Sequence, residues 1–247
     1  MKNYHKKKSF FILFGLILNI HIITSQTNDI NTYNGFDKTI GKENLDIING
    51  TPHTNTFRTT KESINLYYIN SYELGNLTYD GQIYYDVNLK YDIFRDILIL
   101  SPSDKSQNIG INLAKNKVKS FSIKDINFVN IENQNNKDLK LPSGYYEQNI
   151  YYPYFTFYTK HYKDQKDIIS DDQAFVVYKE NPSFFIDLKN TAYQIKTKKD
   201  LIKLFPEQKK QISEFYLMNR ELKKTNLNLF MKNLMKYISN SLTIQTI

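Results

Sequence analysis

Residues 81–100 read GQIYYDVNLKYDIFRDILIL. Ile83, Tyr85, Val87, Leu89, Tyr91 and Ile93 hold every second place, and Gln82, Asp86, Asn88, Lys90 and Asp92 stand between them. Successive side chains of a strand point to opposite faces. The alternation therefore predicts a strand with one face on a core and the other toward water. The eleven residues 83 to 93 would extend about 35 Å, longer than an ordinary strand. A bend or a bulge at Asp86-Val87-Asn88 is expected, and with it a curved sheet. A slip of one residue would carry Tyr85, Val87 and Leu89 into water, so the register is strongly set.

Around this segment the chain keeps the same texture. Short runs rich in Ile, Val, Tyr and Phe are separated by polar turn residues, the signature of antiparallel strands. Expected strands are Ile64–Ile69, Gln82–Ile93, Ile97–Leu100, Ile109–Leu113, Val118–Ile123 and Phe128–Ile131. Tyr145–Ile150, Tyr154–Lys160, Ala174–Tyr178, Phe184–Leu188 and Ala192–Lys196 continue the series. The text changes at about residue 196. Thr197-Lys198-Lys199-Asp200 resembles a capping box, Pro206 suits the first turn of a second helix, and Leu227, Phe230, Met231, Leu234, Met235 and Ile238 follow helical spacing. The fold class is α+β: a mainly antiparallel curved β-sheet, as a sandwich or half-barrel, followed by two or three C-terminal α-helices.

The other end reads as an export signal. Lys2, Lys6, Lys7 and Lys8 precede an apolar run from Phe10 to Ile23. That run is shorter than the roughly 20 residues a bilayer core demands. Thr24-Ser25-Gln26 offers a small residue for cleavage near Ser25-Gln26. The expected organisation is 1–25 signal peptide, 26–60 irregular lead-in, 61–195 β-rich body and 196–247 helical segment packed on that body. The expected location is periplasmic or secreted, with no stable transmembrane span after cleavage.

The chain has no cysteine, which excludes a disulfide framework, a thiolate metal site, a cysteine nucleophile and a lipid-anchored amino terminus. Charge is uneven. Of 33 basic and 25 acidic residues, the leader holds four lysines and no acid, leaving 29 against 25, or +4. Residues 195–247 carry 11 basic and four acidic groups, a net of +7, on a body 26–194 at 18 against 21, or −3. Spread-out lysines of this kind read as solvated helix faces.

Asn49-Gly50-Thr51-Pro52, the Leu89 to Asp96 stretch LKYDIFRD, Gly144-Tyr145-Tyr146-Glu147 and Lys198-Lys199-Asp200-Leu201 leading to Leu204-Phe205-Pro206-Glu207 occur in a particular order. This order resembles a functionally uncharacterised family of small exported Bacteroidetes proteins with a β-rich body and a Lys-rich helical end. The likeness covers roughly residues 48–222. The family often has arginine where this chain has Lys90 and asparagine where it has Asp92. The resemblance implies a Gram-negative envelope location and carries no activity, ligand or catalytic residue.

Direct chemical signals are few. His53 and His161 are the histidines beyond the leader, with no HExxH and no helically spaced pair, so no metal site is expected. His161, in YTKHYKD, is expected at the exposed end of a strand. There is no G-x-S-x-G elbow and no phosphate-cradling glycine loop. The adjacent carboxylates Asp171-Asp172 read as a turn. No catalytic residue and no cofactor is assigned. The densest aromatic stretch is YYEQNIYYPYFTFYTKHY, 145–162, with seven tyrosines and two phenylalanines. Tyr152, Tyr154 and Tyr158 share one parity there and are the candidate ligand- or partner-binding residues. The expected function is that of a non-catalytic envelope protein that binds a partner protein or an apolar, lipid-like ligand through its sheet. A structural or interaction module of an envelope assembly and a hydrolase are the alternatives. Export separates the chain from nucleic acid.

Overall fold

The computed structural model describes residues 30–37, 39, 45–55, 59, 63–102, 109–133, 141–170 and 173–244. The leader and Asp171-Asp172 lie outside them. The chain divides into two compact units, residues 1–49 and 50–247. In the first, residues 30–37 form a helix, α1, and Asp46–Ile48 a single 3-10 turn. The second holds every strand and the remaining helices.

Eleven strands of the second unit make one open antiparallel sheet among the described residues. They are β1 (Thr51–Pro52), β2 (Glu73–Tyr79), β3 (Gln82–Asp92), β4 (Ile97–Leu100), β5 (Ile111–Asn112) and β6 (Val118–Ile123). Next come β7 (Ile126–Asn130), β8 (Tyr145–Tyr151), β9 (Phe155–Lys160), β12 (Ser183–Leu188) and β13 (Thr191–Ile195). Between β9 and β12 the chain leaves the sheet as a separate two-stranded ribbon, β10 (Lys163–Ser170) with β11 (Gln173–Glu180). The strand order is β1-β5-β4-β3-β2-β6-β7-β8-β9-β12-β13. Strands β2 to β5 thus grow outward to one side, and β6 returns to β2 and starts growth in the opposite direction.

The long alternating segment is β3, and it does carry a bulge. Gly75 pairs with Val87 and Leu77 with Tyr84, so two steps on β2 face three on β3. Asp86 takes the extra place at φ +52°. Asp and Asn enter this left-handed region more readily than bulky residues, which suits them to a bulge. The inserted residue reverses the phase of the strand. Leu89 and Tyr91 are buried as expected, but on the near side Tyr84 is buried and Ile83 is exposed. The expectation that Ile83 and Tyr85 share the core face with Leu89 is therefore corrected.

The buried face beneath β3 is packed with rings. Phe121 and Phe128 stack at 4.8 Å between centroids, and Tyr91 meets Phe121, Phe128 and Tyr145 edge-on at 5.4–5.6 Å. At its end, buried Asp92 accepts hydrogen bonds from Arg95 Nε at 2.6 Å, from Asn65 and from the backbone N–H groups of Phe94 and Arg95. The predicted strand Ile64–Ile69 does not form. Only Leu66 bridges Asp92, Lys163 Nζ donates to the carbonyls of Ile64 and Leu66, and Tyr68 turns left-handed at φ +67°. Carbonyls a neighbouring strand would have used are held by an ammonium group.

The helical end follows the predicted grammar. Thr197 and Asp200 complete a reciprocal capping box on α2 (Lys198–Leu204). Pro206 opens a 3-10 turn before α3 (Lys209–Met218), followed by α4 (Arg220–Thr225) and α5 (Leu227–Ile244). Phe230, Met231, Leu234, Met235 and Ile238 of α5 join Phe155, Phe157, Phe184 and Ile186 of β9 and β12 in one buried cluster. Each such side chain contributes roughly 1.5–3 kcal/mol on burial. Among the described residues no helix is long and apolar enough to cross a membrane.

At Gly75 an added Cβ would lie 1.8 Å from the Ser122 carbonyl oxygen and 2.9 Å from its carbon. Gly75→Ala is accordingly expected to wedge β2 from β6 and destabilise the fold by about 1–3 kcal/mol. A lowered urea midpoint with unchanged slope would record it, and an unchanged midpoint would refute the close approach.

Candidate functional site

Where α5 starts against the sheet there is a cleft of about 660 Å³. Its chemistry centres on His161, which the sequence placed in solvent and the fold buries, leaving it 4% exposed. Strand alternation explains this: Phe157, Thr159 and His161 fall on one face of β9 and its extension, and all three are buried. Glu147 of β8 lies opposite Thr159 on the same face and is also buried. Lys232 reaches it from α5, next to the apolar stripe that docks the helix.

Both oxygens of Glu147 are occupied. His161 Nε2 lies 2.8 Å from Oε2, Lys232 Nζ 2.5 Å from Oε1, and Asn149 Nδ2 donates to Oε1 at 3.0 Å. Burial alone would push the Glu147 carboxyl up. The His161 hydrogen bond and charge, with the Lys232 charge and hydrogen bond, outweigh it and hold the pKa at about 2. Tyr67 stands edge-on to the His161 ring at 4.7 Å between centroids. Burial, reinforced by the Glu147 and Glu180 charges, pushes its phenol well above the ordinary value, so it stays a neutral group.

The rim is drawn from three elements. Tyr68 stands beside Tyr67 with its ring 70% exposed, and Lys124 Nζ lies 5.0 Å from the ring centroid. Glu180 comes from the root of the ribbon, and Lys224, Asn226 and Asn228 from the junction of α4 with α5. Asn226 Oδ1 accepts the Leu229 N–H and so caps α5. Asn228 keeps its Oδ1 buried without a hydrogen-bond partner among the described residues.

A carboxylate–imidazole pair is one element of nucleophilic catalysis. The aliphatic hydroxyl among the lining residues is Thr225, and it donates to the Glu221 carbonyl at 2.9 Å within its own helix. Each Glu147 oxygen already has a hydrogen-bond partner within the protein. Among the described residues no group of three His, Asp or Glu side chains could hold a metal ion. The arrangement is equipped to hold hydrogen-bonding groups.

The three tyrosines singled out from the sequence do not meet. A turn with a cis Tyr152–Pro153 bond interrupts the alternation between β8 and β9. Tyr152 is 89% exposed at its tip, and Tyr154 is half-buried against the helical cluster. Tyr158 is buried on the opposite face with Tyr146 and Phe185, its phenol oxygen accepting from Gln148 Nε2 at 3.1 Å. On that face a second hollow of about 410 Å³ is lined by Asn76, Thr78, Ser120, Ser122 and Gln148 among others. Several of these groups bind one another or the backbone, as in Ser120 Oγ to Thr78 Oγ1 at 3.3 Å and Asn76 N to Ser122 Oγ at 3.0 Å. Nothing in the residue types marked out the cleft. One signal was available: His161 has the parity of Phe157 and Thr159, which would place it inside.

Compared with known protein families, curated proteins and solved structures, the chain matches none of them.

The depressed Glu147 pKa has a consequence for stability. Folding favours the ionised form, so this contribution is complete above about pH 5 and disappears as pH falls through the folded value of about 2. A drop from the ordinary 4.5 to about 2 corresponds to at most about 3 kcal/mol. Urea unfolding of wild type and Glu147→Gln between pH 2 and pH 6 is expected to show a steeper loss in the wild type. Parallel curves would refute the assignment.

Proposed function

We propose that this chain is a non-catalytic binding protein of the cell envelope that takes its ligand in the cleft between the sheet and α5. The single observation that carries this reading is the cleft of about 660 Å³, a volume within the usual range for small-molecule sites. A rigid carboxylate–imidazole–ammonium cluster forms one wall, and an exposed aromatic ring stands at the rim. The interior beneath β3 is filled by stacked rings, which favours the cleft beside the ends of β7 and β9 as the ligand-binding volume. The basic leader, the short apolar run and the small-residue exit at Ser25 support export. The resemblance to exported Bacteroidetes proteins supports a Gram-negative envelope.

A second reading, an interaction module in an envelope assembly, draws on the β8–β9 turn, where Tyr152 and nearby Ile150 are 89% and 65% exposed. Two measurements decide between these readings and test export. Cell fractionation and amino-terminal sequencing are expected to recover envelope protein beginning at Gln26; cytoplasmic protein retaining Lys6–Lys8 would refute export. A heteronuclear NMR screen against a library of polar fragments is expected to move the signals of Tyr67, Tyr68, His161 and Asn228. Shifts confined to residues 150–154 would favour the interaction module.

A further inference from the structure

The charges around the cleft are balanced. Lys232 is paired with Glu147 and Lys224 with Glu221 at 3.0 Å, and Glu180 adds a further carboxylate to the wall. An anionic ligand would meet no uncompensated cation there. An apolar ligand would strip water from Glu180, Lys224, Asn226 and Asn228 and return no hydrogen bonds, at a cost for every group stranded.

Tyr68 adds an independent observation. A bulky residue at φ +67° is a backbone outlier of the kind that persists where the surroundings enforce it. Here the strained residue presents a ring that is 70% exposed on the cleft rim, beside the ring of Tyr67 at 6.4 Å. An exposed aromatic side chain beside amide, carboxylate and ammonium groups suits one chemical class. That class is uncharged, rich in hydroxyls that both donate and accept, and flat enough on its C–H face to lie on a ring.

We propose that the cleft binds a neutral carbohydrate. Tyr68 supplies the stacking platform and Glu180 accepts a sugar hydroxyl. The Glu147–His161–Lys232 cluster holds the inner wall in place and stays out of any chemistry. The inference rests on the cleft being a binding site and names its ligand class.

Isothermal titration of the purified protein tests it. The probes are neutral oligosaccharides of glucose, mannose, xylose and N-acetylglucosamine, with an oligogalacturonate and an apolar tripeptide alongside. At least one neutral oligosaccharide is expected to bind. Tyr68→Gly, which relaxes the left-handed backbone and so folds at least as well, is expected to weaken that binding about tenfold or more. Glu180→Ala weakens it likewise, Tyr68→Phe retains it, and Tyr152→Ala leaves it unchanged. Neutral sugar binding that survives both Tyr68→Gly and Glu180→Ala overturns the assignment of the site. Binding of only the oligogalacturonate, lost in these variants, overturns the neutrality of the ligand, and binding of only the tripeptide, lost likewise, overturns the carbohydrate class; either leaves the cleft as a binding site. Failure of every probe to bind overturns both.

Discussion

A buried carboxylate fixes the geometry of this fold at its most informative point. Glu147 is ionised, buried and held at once by the sheet, through His161, and by the helical layer, through Lys232. Apolar contacts between α5 and β9 are adaptable, because side chains of similar volume repack. An ion pair at 2.5 Å is less forgiving, since removal of one partner strands the other's charge in a low-dielectric setting. The cluster therefore sets where along the sheet the first turns of α5 lie. That placement creates the cleft beside it, with the α4–α5 junction on one side and Tyr67 and Tyr68 on another.

Two further carboxylates play related parts near the end of β3. Asp92 gathers the side chains of Arg95 and Asn65 and two backbone N–H groups. Asp96, at φ +59°, accepts from the Tyr91 phenol and pairs with Lys115 and Lys160. Burial would raise the Asp96 pKa, but the charge of Lys160 and hydrogen bonds from Lys115, Lys160 and Tyr91 hold it below the ordinary value. The aromatic interior is thus edged by hydrogen-bonded carboxylates, and each ties segments distant in sequence.

Much of the architecture was legible in the residues. Strands β4 and β6 and the capped start of α2 coincide with runs whose periodicity and turn chemistry agree. What escaped did so for identifiable reasons. Strand β2, ELGNLTY, is interrupted by a glycine and an asparagine that read as loop yet serve a close approach and a bulge. Strand β10, KDQKDIIS, is half charged because it lies in a ribbon outside the main sheet, where neither face needs to be wholly apolar. The length of β3 announces a bulge near Asp86, but the phase at Ile83 and Tyr85 depends on the exact place of the inserted residue, which the alternation leaves open. The candidate site was less legible than the fold. It joins residues 67, 161, 180, 228 and 232, and no local pattern connects them.

The strand order carries a consequence of its own. Chain segments before and after residue 115 form the two sides of the sheet and join along β2 and β6, through three paired positions with one irregularity. Each side is a meander, and beyond the mated edge the two are tied by Asp96 with Lys160, by Lys163 on the Ile64 and Leu66 carbonyls and by the rings around Tyr91. The stretch between Leu113 and Val118 is therefore a natural place to divide the polypeptide, and two fragments cut there would carry complementary edges able to reassociate as a split protein.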